Sequence, residues 1–162
     1  MALILEDGTA KVDSNTYVLE VDFNSFLSSR GYVLSGNYTV ENLLILAMDY
    51  LETQVYIGSK LTQKQALLWP CFNVYIDGFP FPTDKIPKEL INAQMQLAWS
   101  IDQGTNPMSN KQQDIKRERV EGAVEVEYQD GSVTQSIATA VNKTLRKLLL
   151  NSGASFRASL SV

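Results

Sequence analysis

Few residues of this chain are of the types that catalysis or metal binding usually requires. The sequence contains no histidine, which removes the commonest general base and the commonest metal ligand. Its one cysteine, Cys71, has no imidazole to activate it, so we expect a small core residue rather than a nucleophile. Without paired cysteines, an intramolecular disulfide and a structural zinc site are both excluded. The composition therefore predicts a protein that is not an enzyme and needs no cofactor.

The remaining groups that could carry chemistry are carboxylates. Asp49 and Glu52 lie about one turn apart on a predicted helix and could share a proton, although a solvated helix face explains the spacing more simply. Glu121, Glu125 and Glu127 could bind a hard cation, but nothing nearby completes a site. We therefore predict no catalytic residue and no metal ligand. An enzyme built on these carboxylates is kept only as a third hypothesis.

The charge is distributed unevenly along the chain. Residues 1–110 hold 12 acidic and 6 basic side chains, and the net charge of the whole chain is −4. After Asp130 no acid remains, but four basic residues do: Lys143, Arg146, Lys147 and Arg157. An acidic body argues against the broad basic footprint of a nucleic-acid-binding protein. The basic end could meet an acidic partner or a phosphate backbone, or it could be a solvated helix face.

Hydrophobic periodicity predicts a fold that is mainly α: a small bundle of about four helices with short β-strand or hairpin arms and an extended C-terminal tail. The helices are expected near residues 20–30, 40–55, 84–103 and 133–151, with Thr39 as the N-cap of the second. The long segment 58–82 would pack as a loop with a short helix near 62–68. Residues 1–151 would form the one domain and residues 152–162 the tail. The apolar run at 43–48 is too short to span a membrane, so no membrane partner is predicted.

Two extended segments have no local hairpin partner. In residues 116–128, Val124, Val126 and Tyr128 alternate with glutamates, and residues 155–162 alternate in the same way. An isolated strand is not stable in water, and an exposed edge invites pairing with another chain. Both segments are therefore predicted to be assembly elements, with 116–128 as an arm of the bundle.

Aromatic side chains are concentrated in the segment that joins the second and third predicted helices: Trp69, Phe72, Tyr75, Phe79 and Phe81. Together with Lys60 and Lys64 they could stack the bases of a single nucleic-acid strand. Alternatively, they cover one end of the bundle. The small number of positive charges in the segment favours the second interpretation.

Several stretches occur in an order that resembles a family of tailed-phage proteins: "SNTYV", "SSRGY", "LLILAMDYLE", "KQALLWPC", "DGFPFPTDKIPKELINAQMQLAW" and "IKRERVEGAVEVEY". The resemblance covers about residues 14–128, and its most specific parts are "QALLWP" (65–70), "IPKELINAQMQLA" (86–98) and "KRERVEGAVEVEY" (116–128). Such proteins are often labelled DnaT-like single-strand DNA-binding proteins. In architecture they resemble head–tail connector adaptors, also called head-completion proteins. At Cys71 the family typically has an arginine, so the chain departs from the pattern there.

The resemblance implies a structural virion protein at the head–tail interface, present in the host cytoplasm during assembly. It implies a ring, usually of twelve copies, that docks under the portal protein and links the capsid to a tail or neck completion protein. Double-stranded DNA would pass through the lumen without sequence-specific binding. The tail would bind the portal through Phe156, Arg157, Leu160 and Val162. Neighbouring subunits would meet through Arg119, Glu121, Val124, Glu125, Val126 and Glu127.

The alternative hypothesis is a single-strand DNA-binding or replication accessory protein. Lys143, Arg146 and Lys147 would contact the phosphates, and the aromatic residues near Trp69 would contact the bases. This hypothesis predicts affinity for oligonucleotides that falls steeply with salt.

Overall fold

The fold is built around two helices that pack closely against each other, α2 (Val40–Leu51) and α3 (Lys88–Asp102). A computed structural model of the protein describes residues 2–108 and 140–150. The apolar stripe of each helix is buried where the two meet, and α1 (Glu20–Arg30) packs against α2. This arrangement agrees with the helical spacing of apolar residues in the sequence.

Helix α2 begins as predicted and ends earlier than predicted. The Thr39 hydroxyl caps it by accepting a hydrogen bond from the Asn42 backbone N–H at 3.3 Å. The helix ends at Leu51 rather than near residue 55, and residues 52–54 form a turn. The chain beyond this turn is extended because Val55 and Ile57 form backbone hydrogen bonds to another segment of the chain.

The other two predicted helices of this region are confirmed, with one corrected boundary. Helix α1 ends at Gly31, whose φ of 66° is the left-handed conformation of a helix C-terminus. Helix α3 begins at Lys88, four residues later than predicted, because Pro87 is extended and serves as its N-cap. Pro87 also disfavours a helical conformation at the residue before it.

Residues 58–82 form two short antiparallel hairpins rather than a loop with a helix. Strand β1 (Ser59–Lys60) pairs with β2 (Cys71–Phe72), and β3 (Tyr75–Ile76) pairs with β4 (Phe79–Pro80). The two-residue turn between β3 and β4 is Asp77-Gly78, with φ values of 54° and 84°. Both values are positive, as a type I′ hairpin turn requires.

The predicted short helix near 62–68 is absent because the buried Gln65 holds this segment in another conformation. Its side-chain amide donates to the carbonyls of Leu67 and Pro70, both at 2.9 Å. Its carbonyl accepts from the Thr62 backbone N–H at 2.8 Å. A side chain that satisfies several backbone groups in this way competes directly with helix formation.

The C-terminal described segment completes the core. Residues 140–145 are helical, which we call α4, and Val141, Leu145 and Leu148 are fully buried. The prediction that this helix continues to 151 is wrong. The Ile57 N–H donates to the Leu148 carbonyl at 2.8 Å, and the Leu150 N–H donates to the Val55 carbonyl at 2.9 Å. This pairing gives the backbone the partners that another helical turn would have supplied.

Four helices and two small strand pairs thus make up the described chain, which agrees with a mainly α fold carrying hairpin arms. The predicted helical residues 133–139, the predicted arm 116–128 and the predicted tail 152–162 lie outside the described residues. None of the helices in 2–108 and 140–150 is long and apolar enough to cross a membrane.

A buried glutamine ties α3 to α2 and to the N-terminal segment. The Gln94 amide donates to Thr16 Oγ1 at 2.8 Å and to the Leu44 carbonyl at 3.1 Å, and its carbonyl accepts from the Tyr17 N–H at 3.0 Å. Gln94 is fully buried. If its side chain were removed, each of these partners would lose its hydrogen bond without gaining one from water.

We therefore predict that Gln94→Ala lowers the free energy of unfolding by about 2–4 kcal/mol, because it leaves a cavity and buried polar groups without partners. Urea unfolding followed by circular dichroism measures this change. Gln96→Ala on the same helix is the matched control, since Gln96 is only half-buried, and it should cost much less. Equal effects of the two substitutions would contradict the assigned role of Gln94.

Candidate nucleic-acid interface

The aromatic residues of the hairpin region divide into a buried group and an exposed group. Trp69 is fully buried, and Phe81 packs edge-on against it with the ring centroids 6.1 Å apart. Phe72, Tyr75 and Phe79 are 39%, 65% and 74% exposed. Two rings therefore cover the core, as the second interpretation predicts, and three face solvent. Stacking of bases on the exposed rings stays a prediction.

The two most exposed rings lie on a single hairpin. In the β3–β4 pair, Tyr75 is opposite Pro80 and Ile76 is opposite Phe79. Because side chains alternate between the faces of a strand, this register puts Tyr75 and Phe79 on opposite faces. The turn residues Asp77 and Gly78 are also exposed. The hairpin is therefore a short two-stranded ribbon with an aromatic ring on each side.

A basic segment contacts this hairpin through Lys147. Lys143, Arg146 and Lys147 are all exposed, while Leu145 between them is buried. The Lys147 ammonium contacts the Asp77 carboxylate in the β3–β4 turn, with 2.6 Å between Nζ and Oδ2. We use the name hairpin surface for the exposed aromatic and basic residues of the two hairpins and of this basic segment: Lys60, Phe72, Tyr75, Phe79, Lys143, Arg146 and Lys147.

A half-buried carboxylate, that of Glu52, holds the backbone just before β2. Both oxygens of Glu52 accept from the Leu68 N–H, at 3.0 and 3.2 Å, and the Tyr17 hydroxyl donates to Glu52 at 3.3 Å. The Tyr17 oxygen in turn accepts from the Trp69 N–H at 3.1 Å. These bonds fix residues 68 and 69, just before β2 begins at Cys71.

Burial changes the acidity of the groups in this network. Desolvation raises the pKa of the Glu52 carboxyl, partly opposed by its hydrogen bond from the Leu68 N–H. Desolvation also raises the pKa of Tyr17 and of Tyr56. The pKa of the Cys71 thiol rises to about 11, first through burial and then through the Glu52 charge, so this thiol is protonated at neutral pH. Cys71 is buried, as predicted for a core residue.

The carboxylates singled out in the sequence do not form a site in the described parts of the chain. Glu52 is engaged with Leu68 and Tyr17, whereas Asp49 is exposed and lines a separate groove with Tyr38 and Leu46. Glu52 therefore does not lie on a solvated helix face. Across residues 2–108 and 140–150, no group of three or more His, Cys, Asp or Glu side chains could hold a metal ion.

The residues predicted to mediate assembly lie outside the described residues. This applies to the predicted subunit-interface and portal-binding residues: Arg119, Glu121, Val124, Glu125, Val126, Glu127, Phe156, Arg157, Leu160 and Val162. Those assignments stay predictions. The basic residues of the alternative hypothesis are described, and the structure brings Lys147 against the aromatic hairpin.

Hairpin arms were predicted, but not in residues 58–82, although this segment contains one hairpin signal. Asp77-Gly78, flanked by Tyr75-Ile76 and Phe79, is a strong two-residue hairpin signal. The supporting role of Glu52 had no local signal, since its partners are 16 and 35 residues away in the chain.

Comparison with known proteins identifies the family. The model of a family described as "Putative DnaT-like ssDNA binding protein" matches residues 1–161. The chain belongs to this family. No curated protein and no solved structure shows a significant match to it.

The raised pKa of Glu52 predicts a specific dependence of stability on pH. A carboxyl whose pKa is higher in the folded state stabilises the fold below its unfolded pKa of about 4.3. That contribution is lost as the pH rises through the folded pKa. Glu52→Gln has no carboxyl to ionise and should not lose this stability. Its free energy of unfolding relative to the wild type should therefore rise by up to about 1.4 kcal/mol per pH unit as the pH increases from the unfolded to the folded pKa of Glu52. Thermal or urea unfolding at several pH values between about 4 and 8 measures the difference.

Glu52→Ala is the companion variant. It leaves the Leu68 N–H and the Tyr17 hydroxyl without their acceptor, so it should lower the free energy of unfolding by about 1–3 kcal/mol. A pH-independent difference between the wild type and Glu52→Gln would contradict the raised pKa.

Proposed function

We propose that this protein binds single-stranded DNA through the hairpin surface. One observation carries the proposal: solvent-exposed aromatic rings on short hairpins lie beside a basic segment, with Lys147 contacting the β3–β4 turn. The family description supports the same function. In this proposal the protein is a binding protein without catalytic activity or cofactor.

The chemistry of single strands fits this arrangement. Unpaired bases expose their faces, and each base stacked on an aromatic side chain contributes about 1–3 kcal/mol without strong sequence preference. Tyr75 and Phe79 offer such rings on the two faces of the ribbon. Lys143, Arg146 and Lys147 supply positive charge for the phosphates that connect the bases.

The rest of the protein limits the strength of this interaction. Residues 2–108 carry twice as many acidic as basic side chains, so the cations of the hairpin surface work against a repulsive background. We therefore expect weak binding that is readily measured at low salt and falls steeply as salt is added.

Removal of the exposed rings tests the stacking contacts. Tyr75→Ala and Phe79→Ala should each weaken binding of a fluorescein-labelled oligothymidylate by about 1–3 kcal/mol, measured by fluorescence anisotropy at low salt. Tyr38→Ala is the matched control, since Tyr38 is a 45% exposed tyrosine outside the hairpins, and it should bind like the wild type. Equal losses for Tyr38→Ala and Tyr75→Ala would contradict a role for the hairpin.

Removal of positive charge tests the phosphate contacts. Lys143→Gln and Arg146→Gln should each reduce the slope of log K against log salt concentration by about 0.7, the value for one phosphate contact on a single strand. Lys88→Gln in α3 removes the same charge from an exposed lysine elsewhere and should leave the slope unchanged. If wild-type protein shows no binding at low salt, the proposed function is wrong.

A second candidate function is the head–tail connector adaptor implied by the resemblance to tailed-phage proteins. It is favoured by the net negative charge of the described chain, which suits a lumen through which DNA slides. The exposed apolar side chains at Val55, Tyr75, Phe79 and Leu150 would also suit a protein partner. In this candidate, twelve copies form a ring between the portal protein and a tail or neck completion protein in the virion.

The mass of the purified protein in solution, measured alone and with the portal protein, distinguishes the two candidate functions. The connector predicts a ring, or a complex of many copies when the portal protein of the same phage is added, whereas the DNA-binding candidate needs neither. Deletion of residues 153–162 should leave the fold intact and abolish docking to the portal. Docking that survives this deletion would contradict the predicted role of Phe156, Arg157, Leu160 and Val162.

A further inference from the structure

The ion pair between Asp77 and Lys147 joins the β3–β4 turn to the basic segment. Oδ2 of Asp77 lies 2.6 Å from Nζ of Lys147, and the two side chains are 61% and 48% exposed. An ion pair this exposed contributes little to the stability of the fold. The carboxylate does, however, neutralise one of the cations that a nucleic-acid phosphate would need.

The backbone at Asp77 does not require a carboxylate. Asp77 is the first of the two central residues of the type I′ turn, with a φ of 54°, and Asn-Gly satisfies this turn at least as well as Asp-Gly. A neutral residue at this position would keep the turn and leave Lys147 unpaired. The acidic side chain is therefore separable from the structural role of the residue.

We propose that Asp77 competes with the DNA phosphate for Lys147 and so sets the affinity and the salt dependence of binding. A carboxylate and a phosphate are both anions that bind an ammonium group, and a phosphate can approach Lys147 because both partners are exposed. Binding of the strand then exchanges the internal anion for the external one. This inference rests on the proposed function and adds a residue that weakens binding.

The charge-neutral variant Asp77→Asn tests the competition in anisotropy titrations with labelled oligothymidylate. At about 50 mM salt it should bind about three- to tenfold more tightly than the wild type. Its salt slope should steepen by about 0.7, because the phosphate contact of Lys147 is then no longer offset by a released Asp77 carboxylate. Asp22→Asn is the matched control because it removes the same charge from an exposed residue of α1, and it should change affinity much less.

The double variant Asp77→Asn with Lys147→Gln separates competition from a general effect of charge. If Lys147 is the residue released, Asp77→Asn gives no gain in the Lys147→Gln background. A gain that persists there, or that equals the gain from Asp22→Asn, overturns the inference while leaving the proposed function in place. If neither the wild type nor Asp77→Asn binds the oligonucleotide, the proposed function itself fails, and this inference with it.

Discussion

The hairpin surface depends on the backbone pairing between residues 55–57 and 148–150. Two hydrogen bonds make this pairing, from Ile57 to Leu148 and from Leu150 to Val55, and the burial of Leu145 and Leu148 holds it in place. Without it, the basic segment would have no fixed position relative to the hairpins. A contact between residues almost one hundred positions apart therefore positions the segment whose Lys147 contacts the β3–β4 turn.

Polar side chains provide the second constraint on the fold. Gln94 joins three elements at the centre, Gln65 shapes the segment before β2, and Glu52 fixes the backbone at Leu68. Each of them satisfies backbone groups that would otherwise be buried without partners. The apolar stripes bring the helices together, and these polar contacts decide how the connecting segments run.

The sequence predicted the helices well because their signals are local. Thr39 and Gly31 marked two helix ends, and regular apolar spacing defined α2 and α3. Hairpin arms were predicted but not located in residues 58–82, because each strand has only two residues, too few for an alternating pattern. The predicted end of α4 was wrong because Leu148 continues the apolar spacing of a helix, while its carbonyl accepts a hydrogen bond from the N–H of the distant Ile57.

The sequence predicted the components of the candidate site but not their arrangement. Both of its components, the aromatic segment and the basic segment, were recognised as separate features, and their residue types suggested bases and phosphates. That Lys147 meets the turn at Asp77 follows from tertiary pairing, which no local pattern reveals. The exposure of Tyr75 and Phe79, in contrast to the burial of Trp69, also depends on the register of the β3–β4 hairpin.

The most direct test of the account is to map where a single strand touches the protein. An oligonucleotide that carries photoreactive iodouridine can be crosslinked to the wild-type protein, and mass spectrometry then identifies the attached residues. Binding through the hairpin surface predicts crosslinks at Tyr75, Phe79 or Phe72. Crosslinks confined to other exposed aromatic residues, such as Tyr38, would contradict it.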